Sequence, residues 1–266
     1  GQVLDVYVGE GGVQSASPGN TGEAYLQGGA RGPDGGNGGG GTFVTSAEVD
    51  LRPAASPLAP QIALAAGGGG GGGGGYGSAG GGGGGLTGCG GESQSEQTSS
   101  PNPLTGGGGD QEQGGQGAPS TAGGAEPGGF LYGGPFTGPD NNIGAGGAGY
   151  YGGGAGGYTP IPTCSGARMG GGGSSYYGHP AVSSASTEAG NDEGEGGGVG
   201  NPNYPLAGST NEGHGAEGST PVQGLAEDGF VLITGAGAVT STTIVSNAFT
   251  ANSVPTTSRI VVFEED

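Results

Sequence analysis

The sequence has little of what an ordinary hydrophobic core needs. It has no tryptophan, one methionine and six phenylalanines, and the hydrophobic class makes up 30% of its 266 residues. That content is too small for the core that a domain of this length normally buries. Such a composition is typical of disorder, but charged residues are only 10% and the apolar residues are clustered near the two ends and over 58–66. The clustering predicts an ordered frame around a glycine-rich middle.

Lysine is absent as well, and the only cations are four arginines against 23 acidic residues, which gives a net charge of −19. Such a chain repels nucleic acid and anionic membranes, so we expect neither as a partner. A phosphate-binding P-loop requires lysine and is excluded. No apolar run reaches the roughly 18 residues of a membrane span, so no membrane insertion is expected. Because Gly1 opens directly into a strand-like segment, we expect a fragment of a longer polypeptide.

Cysteine is scarce, with Cys89 and Cys164 only. A disulfide between them would close a long glycine-rich loop in an oxidising compartment, and two unpaired cysteines are the alternative. The C-x-x-C spacing of zinc and redox sites does not occur.

Glycine is the abundant residue, with 77 copies and unbroken runs at 67–75 and 80–85. Glycine loses more backbone entropy on folding than any other residue, so such a run is either a flexible linker or a structure that requires the absence of side chains. Extended helices with three residues per turn satisfy the second condition, because their backbone groups point outward and bond to neighbouring helices. The entropy cost predicts that strands at the two ends clamp the glycine tracts.

Strands are predicted where β-branched and aromatic residues concentrate, and no capped helix pattern occurs. The stretch 58–66 fits either a helix or a buried strand, since Pro60 and the missing caps leave both open. The predicted strands cover 3–8, 22–26, 42–44, 230–234, 243–250 and 258–264.

Three segments resemble known proteins. GQVLDVYVGEGG over 1–12 and EDGFVLIT over 227–234 are similar to the borders of the glycine-rich domain of phage tail adhesins and of receptor kinases of the anaplastic lymphoma kinase type. The resemblance implies an all-β fold with almost no α-helix, in which a small jelly-roll-like frame clamps a bundle of polyglycine II helices over 1–235. The family's first strand is missing here. The segment 244–266 resembles phage virion and tail-fibre proteins, which implies a linker and the start of a C-terminal β module at 236–266.

Catalytic chemistry finds little support. The two histidines, His179 and His214, lie in glycine-rich stretches that offer no apolar support to orient them, so we expect no enzyme and no cofactor. The acidic cluster of Asp192, Glu193 and Glu195 offers oxygen ligands for calcium, but a solvated acidic loop is the favoured explanation, and no metal site is predicted.

Tyrosine carries the clearest signal for recognition. Tyrosines in glycine- and serine-rich loops give rigid contact area at low entropic cost, and the alternative is that they cover the edges of the glycine structure. The candidates for receptor contact are Tyr150, Tyr151, Tyr158, Tyr176 and Tyr177.

With the resemblance, these features predict a virion or extracellular structural protein, a phage tail fibre or adhesin tip that contacts a host-surface glycan or protein. It would associate with other fibre proteins and with itself, with a trimer as the expected state. The alternatives are an extracellular filament-forming protein and an ice-binding protein.

Overall fold

The described part of the chain contains three short strands and no α-helix. In the computed structural model it comprises residues 4–9, 11–12, 35–45, 62–70, 80–91, 104–121, 123–138, 143–158 and 168–190. These residues belong to one compact unit, Gly1–Val231, whereas the second unit, Leu232–Asp266, lies outside the described part. The prediction of an all-β fold with almost no helix is confirmed for the described residues. The predicted strands at 22–26 and beyond residue 230, and the domain boundary at 235, lie outside them.

The strands form an antiparallel sheet in the order β1-β2-β3. They run over Asp5–Tyr7 (β1), Thr42–Thr45 (β2) and Ile62–Ala66 (β3). The first two confirm predicted strands. β3 decides between helix and strand in favour of a strand for residues 62–66, the described part of the stretch 58–66. A bulge between Val44 and Thr45 shifts the register of β2 on β3, so Thr45 pairs with Ile62.

Alternation along the strands gives the sheet an inner and an outer face. On the inner face the residues paired across the sheet are Tyr7, Phe43 and Ala65; on the outer face they are Val6, Val44 and Leu64. The inner residues Phe43 and Ala65 pack with Ile62 and Leu131 into the sheet core, a cluster with Phe43 and Ile62 fully buried. The outer face keeps Leu4, Val6, Val8 and Leu64 between 38% and 48% exposed.

A tight hairpin connects the sheet core to the glycine segments. Gly129 and Tyr132 exchange two backbone hydrogen bonds, and the residues between them are Phe130 and Leu131. Leu131 adopts a φ of 68°, which is uncommon for a residue with a Cβ. Its side chain is nevertheless buried in the sheet core, and that burial offsets the backbone strain.

The glycine-rich residues run as extended segments that hydrogen-bond to one another. The first three amides of the central segment, 152–157, donate in turn to segments 123–129, 143–149 and 104–109. The next three amides donate to the same segments in the same order. Every third residue therefore faces the same neighbour, whereas in a β-strand every second residue does.

The carbonyl groups complete this arrangement. Carbonyls of residues 152–158 accept hydrogen bonds from three further segments, 114–121, 131–138 and 168–175. The central segment is thus bonded to a neighbour on every side, and residues 152–157 are all buried. All six amides of 152–157 and the carbonyls of residues 152–155 thus bond to another segment, which satisfies the backbone polar groups that burial removes from water.

Close approach of backbones explains why the segments consist of glycine. A Cβ placed on Gly153 would overlap the carbonyl oxygen of Gly171, and one placed on Gly172 would overlap the carbonyl oxygen of Gly82. A backbone atom cannot rotate away as a flexible side chain does. Gly107 differs, because the nearest atom to a Cβ there would be Gln116 N at 3.4 Å, which is an ordinary van der Waals contact.

The connections between the glycine-rich segments differ at the two ends of these segments. At the sheet end, short turns at 85–87, 110–113, 129–132 and 149–151 connect them next to the β-sheet. At the far end the chain between described segments is longer, with 71–79, 92–103 and 159–167 outside the described part. The residues that flank these stretches are bonded to one another, as in Gly91 N–H to Gly106 O and Gly106 N–H to Met169 O.

Candidate functional site

The five tyrosines predicted for receptor contact fall into three places. Tyr150, Tyr151 and Tyr176 come together at the sheet end, where they form an aromatic cluster with Phe130. Tyr177 lies in a groove beside the sheet. Tyr158 lies seven residues after Tyr151 on the same extended segment, so about 20 Å separates their backbones. The structure therefore does not bring all five together.

The rings of the aromatic cluster contact one another closely. Tyr150 and Tyr176 stack with centroids 4.1 Å apart and planes 12° apart. Tyr151 meets Tyr150 edge to face at 5.3 Å, and Phe130 meets both at 5.4 and 5.5 Å. The three edge-to-face pairs have a geometry that aromatic pairs favour. Tyr150, Tyr176 and Phe130 also pack against the sheet core. The cluster therefore joins the sheet to the glycine segments, which is a structural role.

Burial has an electrostatic consequence in this cluster. Desolvation raises the pKa of Tyr150 above its ordinary value of 10.0, and the neighbouring phenols of Tyr176 and Tyr151 raise it further. The raised pKa means that Tyr150 keeps its phenol proton at alkaline pH values where an exposed tyrosine begins to ionise.

Backbone hydrogen bonds fix the positions of the clustered tyrosines. Tyr176 exchanges two backbone hydrogen bonds with Ala65 of β3, and Tyr150 N–H donates to Ser174 O. The Ser174 hydroxyl is fully buried, donates to Asp110 O at 2.7 Å and accepts from Tyr151 N–H at 3.1 Å. One serine thus connects the cluster to the turn at 110–113.

The turn at 110–113 is held by its own side chains. The Asp110 carboxylate accepts the backbone N–H groups of Glu112 and Gln113 at 2.7 and 2.8 Å, and these bonds lower the pKa of Asp110 below its ordinary value of 3.8. The Gln111 side-chain amide donates to Leu86 O and Ser175 O, at 2.8 and 2.9 Å. The turn is therefore rigid and attached to two neighbouring segments.

Tyr158 has different neighbours at the far end. The Arg168 guanidinium carbon lies 4.3 Å from the centre of its ring, within the range of a cation–π contact. Tyr158 also packs against a second small core of Phe136, Ile143 and Ala155. Tyr158 is half-buried, so part of its side chain is accessible to solvent.

The groove beside the sheet has a volume of about 220 Å³ and crosses the outer face of β2 and β3. Its lining includes Val44 and Leu64 of the sheet, Tyr176 and Tyr177, and Ser186 and Thr187. The chain after Tyr177 is also bonded to the glycine segments, since Glu188 O accepts Gly85 N–H at 2.6 Å.

Other predicted sites lie partly outside the described residues. Cys89 is half-buried with its Sγ 3.0 Å from Gly190 O, but Cys164 is not described, so the disulfide stays a prediction. The calcium candidates Asp192, Glu193 and Glu195, together with His214, also lie outside. His179 Nδ1 accepts Ala181 N–H at 3.1 Å. Within the described ranges no three His, Cys, Asp or Glu side chains come together as a metal site would require.

Sequence reasoning missed Phe130, Leu131 and Arg168. Phe130 and Leu131 carried a signal, since Phe-Leu-Tyr at 130–132 is three large side chains in a row between glycine pairs. Arg168 carried none, because no local motif links it to Tyr158, ten residues before it.

No family model matches the chain, and no curated protein or solved structure matches it either. Among the described residues there is also no helix long and apolar enough to cross a membrane.

Proposed function

We propose that the glycine segments form a bundle of polyglycine II helices that is clamped at one end by a jelly-roll-like frame. The observation that supports it is the three-residue rotation of hydrogen bonds around segment 152–157, because polyglycine II has three residues per turn and no internal hydrogen bonds. The sheet of β1, β2 and β3 would be one part of the frame.

We further propose that this bundle is a non-enzymatic structural module of a virus particle, a tail fibre or adhesin tip that attaches the particle to a host surface. An attachment module needs a rigid body on which variable loops are mounted. The backbone network supplies rigidity without a large hydrophobic core, and its side-chain-free interior leaves the connecting stretches free to vary in sequence.

The difference between the sheet end and the far end of the glycine segments supports the proposed orientation of the module on the particle. Turns at the sheet end are short and fixed by hydrogen bonds, as at 110–113. Between the described segments at the far end the chain is longer, with twelve mostly polar residues over 92–103 and nine residues over 159–167. Binding residues are disproportionately found on such connections between rigid elements. The far end, which includes Tyr158, is therefore the proposed tip, and the sheet end faces the particle.

Immunogold electron microscopy of native particles tests this proposal, with an antibody against residues 92–105. Label at the distal ends of fibres is the expected result. Preincubation of host cells with the soluble chain should also reduce particle adsorption. Label elsewhere on the virion would remove the role in host recognition and leave a structural one.

A second candidate is an extracellular filament-forming protein. The exposed apolar side chains Leu4, Val6 and Val8 on the outer face of β1 favour it, because exposed apolar patches mediate self-association. In the same micrographs this function predicts label along filaments that carry no virus.

A further inference from the structure

We propose that the groove over the outer face of β2 and β3 is a binding site for an uncharged saccharide. The inference goes beyond the proposed attachment function, because the groove lies at the sheet and not at the proposed tip, and it does not depend on which end faces the particle. Four properties of the described residues carry it: the lining charge, unused hydroxyl groups, an unpaired aromatic ring and the size of the groove.

The lining carries no carboxylate and no cation, in a chain with 23 acidic residues. Its lining combines the aliphatic residues Val44 and Leu64 with tyrosine, serine and threonine residues. A strongly acidic protein repels anionic ligands over distances near the Debye length. The charge distribution therefore favours a neutral sugar over a sialylated or sulfated one.

Hydroxyl groups that line the groove can form further hydrogen bonds with a ligand. The Thr42 hydroxyl already accepts Gly9 N–H at 3.1 Å, and the Ser175 hydroxyl accepts Gly67 N–H at 3.4 Å. Ser186 and Thr187 form no hydrogen bond within the described part of the chain. Each hydroxyl offers one donor and two acceptor positions, which matches the mixed donors and acceptors of a sugar ring.

An aromatic ring is available beside these hydroxyls. Tyr176 is held in place by its stack on Tyr150, whereas Tyr177 takes part in no ring pair among the described residues. A half-buried tyrosine offers an apolar face and a polar tip, and the apolar face of a sugar can pack on it. Tyr177 was among the residues predicted for receptor contact, and this arrangement gives it a specific role.

The size of the groove limits the ligand. Its volume of about 220 Å³ lies below the roughly 300–1,000 Å³ of pockets for drug-sized ligands. A groove of that volume takes a terminal sugar unit rather than a large apolar ligand, and the remainder of a glycan would extend into solvent.

Saturation-transfer NMR on the full chain tests the proposal with lactose, maltotriose and chitotriose as neutral probes. The compound 3′-sialyllactose is the charged counterpart of lactose. We expect transfer to at least one neutral sugar, and we expect sialyllactose to bind at least about fivefold more weakly than lactose if lactose is the sugar bound. No transfer to any of the three neutral probes would overturn the proposal.

Three variants locate the site. Tyr177→Ala and Thr187→Val should each weaken binding of the neutral probe about fivefold or more, since truncated contact residues in binding sites commonly cost that much. Tyr132→Ala, at the hairpin outside the groove, should bind like the wild type. Thermal unfolding confirms that each variant is folded, and Thr187→Val keeps the test valid if Tyr177→Ala does not fold. Unchanged binding in Thr187→Val and in folded Tyr177→Ala would overturn the groove as the site.

Failure of this proposal and failure of the attachment function are separable. Fibre-tip label without sugar binding would retain the function and reject the groove. Sugar binding lost in Thr187→Val, together with label on virus-free filaments, would retain the groove as a saccharide site and reject the virion.

Discussion

The central glycine segment and the sheet core are both buried, but different kinds of atoms fill the space around them. Around residues 152–157 backbone groups contact other backbone groups, and added atoms would overlap carbonyl oxygens. Around Phe43 and Ile62 side chains fill the space, as in an ordinary protein interior. The comparison teaches that burial alone does not define tolerance to mutation. Glycines at which two backbones approach closely should be sensitive to any atom added, and the sheet core should be sensitive to any atom removed.

The largest expected effect comes from one carbon added in the glycine segments. Gly172→Ala places a Cβ on the carbonyl oxygen of Gly82, and neither backbone can move without breaking its hydrogen bonds. We expect a loss of about 3 kcal/mol in the free energy of unfolding, at the upper end for overpacking. Chemical denaturation monitored by circular dichroism measures it.

Gly107→Ala is the matched control for this substitution. Gly107 also donates and accepts backbone hydrogen bonds between segments, but its added Cβ has room. The variant should gain about 0.5 kcal/mol, because alanine restricts the unfolded chain. Equal destabilisation by both alanines would break the comparison, since close backbone approach would then not be the cause.

One carbon removed from the sheet core gives the second largest effect. Ile62 is fully buried against Phe43 and Leu131, and Ile62→Val should cost about 1 kcal/mol through lost contacts and a small cavity. The same denaturation measurement applies. A cost above that of Gly172→Ala would reverse the proposed order of the two regions.

A smaller effect concerns the aromatic cluster at high pH. Because burial raises the pKa of Tyr150, the folded state keeps the phenol proton that the unfolded state loses. The contribution of Tyr150 is complete below pH 10 and is lost as pH rises through the folded pKa. Tyr150→Phe removes this contribution, so the difference in melting temperature between wild type and variant should change between pH 9 and 11. A constant difference would argue against a desolvated phenol.

The smallest effect is expected at the exposed turn. The lowered pKa of Asp110 means that its stabilising contribution is present above pH 3.8 and is lost as pH falls through the folded pKa. Asp110→Asn retains an oxygen acceptor without a titrating charge. Its melting temperature should approach that of the wild type as pH falls from 5 to 2. A gap that stays the same over this range would contradict the role of the carboxylate.

The strands were largely predictable from the sequence, and the pairing of glycine segments was not. β-Branched and aromatic residues predict β1 and β2. The alanines of β3 and Pro60 leave the stretch 58–66 open between a helix and a strand. A run of identical glycines contains no pattern that sets a register or a neighbour. Side chains at the segment ends help to select the register, as where the Ser174 hydroxyl donates to the backbone carbonyl of Asp110. Such contacts are distant in sequence.

The candidate site was predictable by residue type but not by position. Tyrosines in a glycine-rich sequence indicate contact surfaces, but the sequence does not tell which rings will stack. Tyr150 and Tyr176 meet because their segments are adjacent, and adjacency depends on the same unpatterned glycine register. The groove beside Tyr177 likewise arises from the path of the chain after 177, which no local motif encodes.

The rotation of hydrogen bonds along the central segment is the claim on which the account depends most. NMR scalar couplings across hydrogen bonds, measured on chain labelled with ¹³C and ¹⁵N, detect each donor–acceptor pair directly. The amides of Gly153, Gly154 and Ala155 should couple to the carbonyls of Gly147, Gly107 and Glu126, three different segments. Couplings of alternate amides to one neighbouring segment, the pattern of a β-sheet, would contradict the account.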